Sequence, residues 1–445
     1  MPRPETLRAA IAGASTGLVG RHLRVELPEM GRVVGEDMSG ANVLLRTSDQ
    51  IFAALALIEL DGVAARIVIA PPDVKDEHLP AVIAQAGIDT VASDDSGLAV
   101  AGTGFVQIHL PHSAVVVAPS RRTQWILFTS GTTGVPKMVA HTLEGLTGAI
   151  QPAMANDIVW ATFYDIRRYG GLQILLRALM GQASLVLSDA DEDVASFLIR
   201  LGANGVTHLT GTPSHWRRAL MSPANTHINP RYVRLSGEIA DQAILDSLKV
   251  RFPDAAMGHA YASTEAGVGF EVTDGLEGFP AAFMSRPGAV EMKVVDGTLH
   301  IRSPRTASGY VGADTALQND GWVDTTDMVE QRAERFYFTG RTGGIINVGG
   351  LKINPEEVEA VINRQPGVRM SRVSGRRNPI TGAIVVADVV LADPANDDAT
   401  FKDAILAACR EKLPASKVPA MLRFVPSLEL TAGGKLSRVQ GVRHA

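Results

Sequence analysis

The chain has 445 residues, 46% hydrophobic and 20% charged, with a formal net charge of −5. That is enough for two or three domains with substantial cores. The balance is that of an ordinary soluble protein and gives no electrostatic reason to expect a nucleic acid or an anionic membrane as partner. A single cysteine, Cys409, excludes an internal disulfide and a thiolate zinc site, and fits a reducing, cytoplasmic setting. The opening "MPRPETLRAAIAGAS" carries Glu5 and Arg8 without a sustained apolar stretch, so no signal peptide is expected, and no uncharged apolar run approaches the length of a membrane span.

In chain order, "GASTGLVG" (13–20) has the glycine spacing of some dinucleotide loops. It follows "TLRAAIA", a poor strand, and lacks an acidic residue at the right distance, so a helix-to-turn junction is expected. Residues 49–98 then alternate: "DQIFAALALIEL" helical, "ARIVIA" extended, "DEHLPAVIAQAG" helical, "DTVAS" extended. "PPD" and "DDSG" punctuate them, and the rhythm is that of βαβ units in a mostly parallel sheet. Trp125–Phe128 reads as a short buried strand. It breaks into Thr129-Ser130-Gly131-Thr132-Thr133-Gly134, followed by Lys137. Hydroxyls, backbone N–H groups and glycines that allow close approach suit a polyphosphate. This is not a Walker A loop, because Pro136 precedes Lys137 and Met138 follows it. The βαβ rhythm continues through 171–189 and 193–213.

The character changes near residue 340. "TGRTGGIINVGG" (339–350) is glycine-rich and the candidate hinge. Beyond it, "INPEEVEAVINRQPGV" predicts a helix with Asn354 as N-cap and Pro355 at its first position. A strand over 383–392 and a helix over 399–413, stopped by Pro414, complete a compact α+β piece able to fold as a unit. The expected architecture is α/β. It has a large N-terminal domain (1–341) with mixed and parallel sheets flanked by helices. A small α+β C-terminal domain (342–445) is joined to it by the Gly-rich hinge.

The phosphate-type loop, "HAYASTEAG" (259–267), "GWVDTTDMVE" (321–330), "FYFTGRTGGIINVGGLKINPEEVE" (336–359) and "LPASKVPAMLRFVPSLELTAGGKLSR" (413–438) occur in that order. Together they resemble the adenylate-forming superfamily of acyl- and aryl-CoA ligases, peptide-synthetase adenylation domains and firefly-type luciferases. The resemblance implies ATP-dependent activation of a carboxylic acid through an acyl-adenylate, release of pyrophosphate, and transfer to the thiol of coenzyme A. It implies that residues 129–134 and Lys137 hold the leaving phosphates, and that Tyr261 lies against the adenine. Thr264 would donate to a phosphate oxygen, Glu265 would ligate Mg²⁺, and Asp327 would accept the ribose hydroxyls with Arg341 close by. Lys435 would reach the α-phosphate. Gly349 and Gly350, with Lys352 nearby, would leave room for the pantetheine arm. "RLSGEIA" (234–240) resembles the family's Gly-Gly-Glu turn beside the adenine, placing Gly237 and Glu238 there. Taken singly, Tyr261 reads as a core aromatic, Glu265 as a surface charge and Asp327 as a turn residue; the ordered set favours the functional reading of Glu265, Asp327 and Lys435.

Two departures stand out. Gly343 and Gly344 replace the acidic residues common after the hinge arginine, although the resemblance still implies Gly343 as the pivot, and "TFYDIRRYGG" (162–171) replaces the family's aromatic-histidine segment. In the latter, Asp165 is available to a substrate amine, Arg167 or Arg168 to a second anion or to CoA phosphates, and Tyr164, Tyr169 and Trp216 to an aromatic acid or to simple packing. Gly211-Thr212-Pro213 resembles a segment bordering that pocket. The alternatives to a CoA ligase are an enzyme loading a separate carrier protein's phosphopantetheine, and a non-catalytic nucleotide-binding protein. The acid and the oligomeric state are not legible.

Overall fold

The computed structural model describes residues 4–12, 16–27, 30–98, 100, 102–113, 118–129, 136–151, 157–312, 317, 320–379, 382–393 and 399–438. The helix Gln50–Leu60 shows how the large domain is layered. Asp49 caps it by accepting from the Ile51 N–H, and every residue except Phe52 is buried. A helix apolar on all sides has to be covered on all sides. It lies with Tyr169–Met180 between two sheets, in a core that joins Leu45 and Ile67 of one to Trp160 and Leu185 of the other. The outer face of the first sheet is covered by Leu79–Ala86. Val194–Ala203, Pro213–Met221 and Gln242–Arg251 cover the outer face of the second.

The first sheet pairs Asn42–Arg46, Arg66–Ala70, Thr90–Ser93, Gly104–Ser113 and Gln124–Phe128 in parallel, and Met138–Thr142 returns antiparallel along Gln124–Phe128. The second runs Gly17–Val19, Ser184–Val186, Val159–Thr162, His208–Gly211, Tyr232–Ser236 and Ala256–Ser263 in parallel, with Gly267–Val272 antiparallel at its edge. A third, antiparallel sheet includes Val323–Arg332 and Arg335–Arg341. Ligands of such sheets bind beyond the carboxyl ends of parallel strands. Those ends are where Thr129, Gly237 and Thr264 stand.

The C-terminal core draws on residues from Ile346 onward. Val368–Asn378 pairs antiparallel with Gly382–Leu391, which takes Met421–Phe424 in parallel. Pro355–Asn363 and Ala399–Lys412 cover this sheet through Val358, Ile362, Ile405 and Cys409. Burial pushes the Cys409 thiol up to about 11, so it is an unreactive packing residue.

Two local expectations are corrected. The helix Leu7–Ile11 is followed not only by a turn but by the strand Gly17–Val19, too short to show a period. Asn354 stands at the N-cap position with Pro355 behind it, but its side chain makes no capping bond. Among the described residues no helix is long and apolar enough to cross a membrane.

Candidate active site

A cleft of about 370 Å³ opens where the strand ends of the large domain meet the small domain. Thr129, Gly237, Glu238, Tyr261, Thr264, Glu265, Asp327, Arg341 and Lys435 all line it. They come from strands and a turn that lie more than 300 positions apart in sequence, and the fold gathers them around one cavity.

Asp327 is the fixed point of its floor. It faces Arg341 across the ladder between Val323–Arg332 and Arg335–Arg341. Its carboxylate accepts from Arg341 Nε at 2.6 Å and from the Tyr261 hydroxyl at 2.6 Å. The Tyr261 ring runs nearly parallel to Phe338, 5.2 Å away at 7°, and to Phe270, 5.6 Å away at 18°. Burial, and then the Asp327 charge, push the Tyr261 hydroxyl well above its ordinary value, so it stays a donor.

Lys435 enters from the small domain on a tight turn. The Thr431 N–H donates to the Lys435 carbonyl at 2.7 Å, and Leu430 bridges to Leu436. Gly434 has φ +71°, and a Cβ there would lie 1.8 Å from His215 Cε1, so only glycine fits against that ring. Arg438 ties the turn to the small domain through a bidentate pair with Glu359, at 2.8 and 2.9 Å. Burial lowers the Lys435 pKa and Arg341 adds to this, while Glu238, Asp327 and Glu265 act the other way.

The docked position of the small domain is held by a set of hydrogen bonds. Thr212 Oγ1 donates to the Gly434 carbonyl at 2.7 Å. The Leu436 N–H donates to Glu238 at 2.6 Å, and Arg218 donates to the Leu428 carbonyl at 2.7 Å. Glu238 also accepts from the Ser214 backbone and hydroxyl, at 2.9 and 3.0 Å. The residue expected beside the adenine thus has its carboxylate engaged by the lysine turn. Sequence reading missed His215 and Arg438; the spacing of Arg438, three residues after Lys435, was the available signal.

Other predicted residues fall in different places. Ser130, Gly131, Thr132, Thr133 and Gly134 lie outside the described residues. The ends of that loop are joined by the Thr129 N–H and the Lys137 carbonyl at 2.9 Å, and the Lys137 ammonium lies over the Tyr310 ring, 5.3 Å from its centre. Asp165 does not line this cleft: it forms a bidentate pair with buried Arg167, which also donates to the carbonyls of Thr47 and Ser48. Arg168 pairs with Asp73. Gly211 and Thr212 border neither cavity. Gly211 packs on Phe163 and His215, and Thr212 caps Pro213–Met221. Trp216 is fully buried packing. Tyr164 and Tyr169 line a second, small cavity. Gly349 and Gly350 turn the hairpin between Ile346–Val348 and Leu351–Ile353 at φ +57° and +87°. Positive φ at both positions of a two-residue turn favours glycine; in this orientation open space surrounds both, and Lys352 is exposed beside them.

Mg²⁺ is satisfied by one or two carboxylates, with phosphate oxygens and water completing its shell. Glu265 on the cleft wall fits that need, and among the described residues no group of three or more metal-ligating side chains gathers.

The AMP-binding enzyme family matches residues 2–311, and the AMP-binding enzyme C-terminal domain matches residues 357–435. A 2-succinylbenzoate–CoA ligase of Listeria innocua is 27% identical over 372 residues, covering 80% of this chain and 77% of the relative. One from Listeria monocytogenes is 25% identical over 439 residues, covering 94% and 89%. An anthranilate CoA ligase in complex with anthranoyl-AMP shares the fold, with a TM-score of 0.78 at 17% identity over 98% of this chain and 96% of that one. The chain belongs to the AMP-binding enzyme family, part of the adenylate-forming superfamily that its motifs resemble.

Proposed function

We propose that the cleft holds Mg·ATP and a small carboxylic acid, with Asp327 on the ribose, Glu265 on the metal, Thr264 on a phosphate and Lys435 at the α-phosphate. The enzyme is an AMP-forming acid–CoA ligase. The acid carboxylate attacks the α-phosphate and pyrophosphate leaves; the thiol of CoA then attacks the acyl carbon and AMP leaves. No protein nucleophile is needed. The chain's task is to hold two anions in line and to offset charge on phosphate oxygens. Mg²⁺, held by Glu265, supplies part of that offset. The observation that carries the assignment is the delivery of Lys435, by a turn of one domain, into a cleft the other domain lines with Glu265 and Asp327. A cytoplasmic setting, where ATP, CoA and reduced thiols coexist, fits this chemistry.

The test is incubation with ATP and a panel of acids, with and without CoA. Pyrophosphate release that depends on the acid supports adenylation, and acyl-CoA formation identifies the acceptor. Adenylate that discharges only onto a phosphopantetheinylated carrier protein would favour the carrier reading. No acid-dependent pyrophosphate release would overturn the assignment.

Asp327→Ala is expected to raise the ATP requirement by at least about 10- to 100-fold, since even one hydrogen bond to a charged acceptor contributes roughly 1.5–3 kcal/mol. Calorimetric titration with ATP checks it. Unchanged affinity would leave Asp327 only its role of fixing Tyr261 and Arg341.

A further inference from the structure

A cavity of about 20 Å³ lies behind the cleft, and Ala262 lines both. Its wall includes Tyr164, Tyr169, Gln173, Thr210 and Arg234, with no carboxylate among the lining side chains. Thr210 and Arg234 are directly opposite each other on the parallel strands His208–Gly211 and Tyr232–Ser236, so both side chains leave the same face of the sheet. Val233 and Leu235 pack into the outer core on the other face. Arg234 is therefore turned inward, and it is only 6% exposed.

Its charge is incompletely answered. Glu271 lies 3.4 Å from Arg234 Nε, yet that nitrogen makes no hydrogen bond. Glu271 also accepts from the Tyr232 hydroxyl. Arg177 is close enough to influence the same group, and its Nε is also buried without a partner. Thr210, 1% exposed, has its hydroxyl unpartnered as well. Burying an arginine is costly unless it is paired and hydrogen-bonded. Here two arginines share one carboxylate beside a small cavity whose wall includes Ala262 of the cleft.

We propose that this cavity recognises a second anionic group on the acid, and that the substrate is a short dicarboxylate whose far carboxylate meets Arg234 and Thr210. The inference rests on the ligase reading above. The reacting carboxylate stays in the cleft near Lys435, and the short carbon chain passes Ala262. The same charge balance disfavours an amine-bearing acid, since Asp165, the anion expected to receive it, is taken up by Arg167.

The test compares ATP–pyrophosphate exchange with malonate and succinate against propionate, butyrate and 2-succinylbenzoate. Wild-type enzyme is expected to favour a short diacid over its monoacid counterpart by about 30-fold or more in kcat/KM, the usual cost of leaving a buried charge unpaired. Arg234→Gln should erase that preference, Arg234→Lys should restore part of it, and the near-isosteric Thr210→Val should weaken it in a protein that melts normally. A structural role alone would lower exchange with both acid types equally. Preference for monoacids, preference for 2-succinylbenzoate over the short diacids, or an unchanged ratio in Arg234→Gln would each overturn the proposal. Exchange with none of the acids tested, in a protein that still releases pyrophosphate with some other acid, would overturn it alone; absence of exchange with every acid overturns the ligase reading too.

Discussion

Lys435→Ala is expected to lower ATP–pyrophosphate exchange by about 10²- to 10³-fold, or roughly 3–4 kcal/mol, by analogy with removal of one oxyanion-stabilising donor. The side chain stands on a turn whose shape leaves little freedom. Gly434 lies against His215, Thr212 holds the Gly434 carbonyl, and Leu436 is bonded to Glu238. The ammonium is thereby placed among three carboxylates that favour its charged form, although burial lowers its pKa overall. When the α-phosphate is attacked, charge builds on oxygens that this cation is proposed to meet. Asp327, Arg341 and the phosphate loop are untouched by the substitution, so ATP affinity should change little. Transfer from supplied acyl-adenylate to CoA should also persist, because that step no longer needs a cation at the phosphate. Calorimetry with ATP and a stopped assay with preformed adenylate separate these effects. Near-normal exchange would remove Lys435 from the proposed mechanism.

The layered part of the fold was legible because its strands are buried on both faces. Arg66–Ala70 and Gln124–Phe128 are apolar after their first residue and closed by turn residues, and Gln50–Leu60 is apolar between Ile51 and Ile58. Asp327, Glu265 and Lys435 were legible as ordered motifs rather than from local pattern. What stayed hidden depends on distance or rotamer. Glu238 meets Leu436 across 198 positions, and nothing near either residue announces the bond. Asp165 and Arg167 are two residues apart, but whether they pair or face a ligand is decided by the packing beneath them. Gly349-Gly350 forms a hairpin turn that only the backbone angles reveal, and the approach for a thiol arm implied by its motif is a separate proposal. Arg234 sits in a strand that alternates polar and apolar, which normally places the polar face in water. Here that face is an internal layer, because Tyr169–Met180 lies over it.

Gly343→Pro is expected to leave adenylation within a few-fold of normal and to lower thioester formation by about 10²-fold, the loss that follows when a reacting group is held out of position. The two half-reactions place different demands on one adenylate. In the docked arrangement Lys435 lines the cleft, while the Gly349-Gly350 turn lies outside it. A thiol delivered along that turn, as proposed, would require the small domain to rotate, and the chain between the domains offers a place for it. The third sheet ends at Arg341, Thr342–Gly344 forms a single 3-10 turn, and the small core begins at Ile346. Apart from its chain neighbours, no atom lies within 4 Å of a Cβ added at Gly343 or Gly344, so a side chain is tolerated in the docked state. Proline fixes φ at its own position and restricts Thr342 before it, which removes the freedom a rotation uses. The variant should therefore exchange pyrophosphate, accumulate acyl-adenylate, and fail to discharge it when CoA is added. Gly343→Ala, which fits the same space without locking φ, should stay near normal. Gly434→Ala should show the opposite pattern, since its Cβ would collide with His215 and exclude the docked state while leaving supplied adenylate free to react with CoA. Normal thioester turnover in Gly343→Pro, or equal loss of both half-reactions in a folded protein, would show that the domains do not exchange places about this turn.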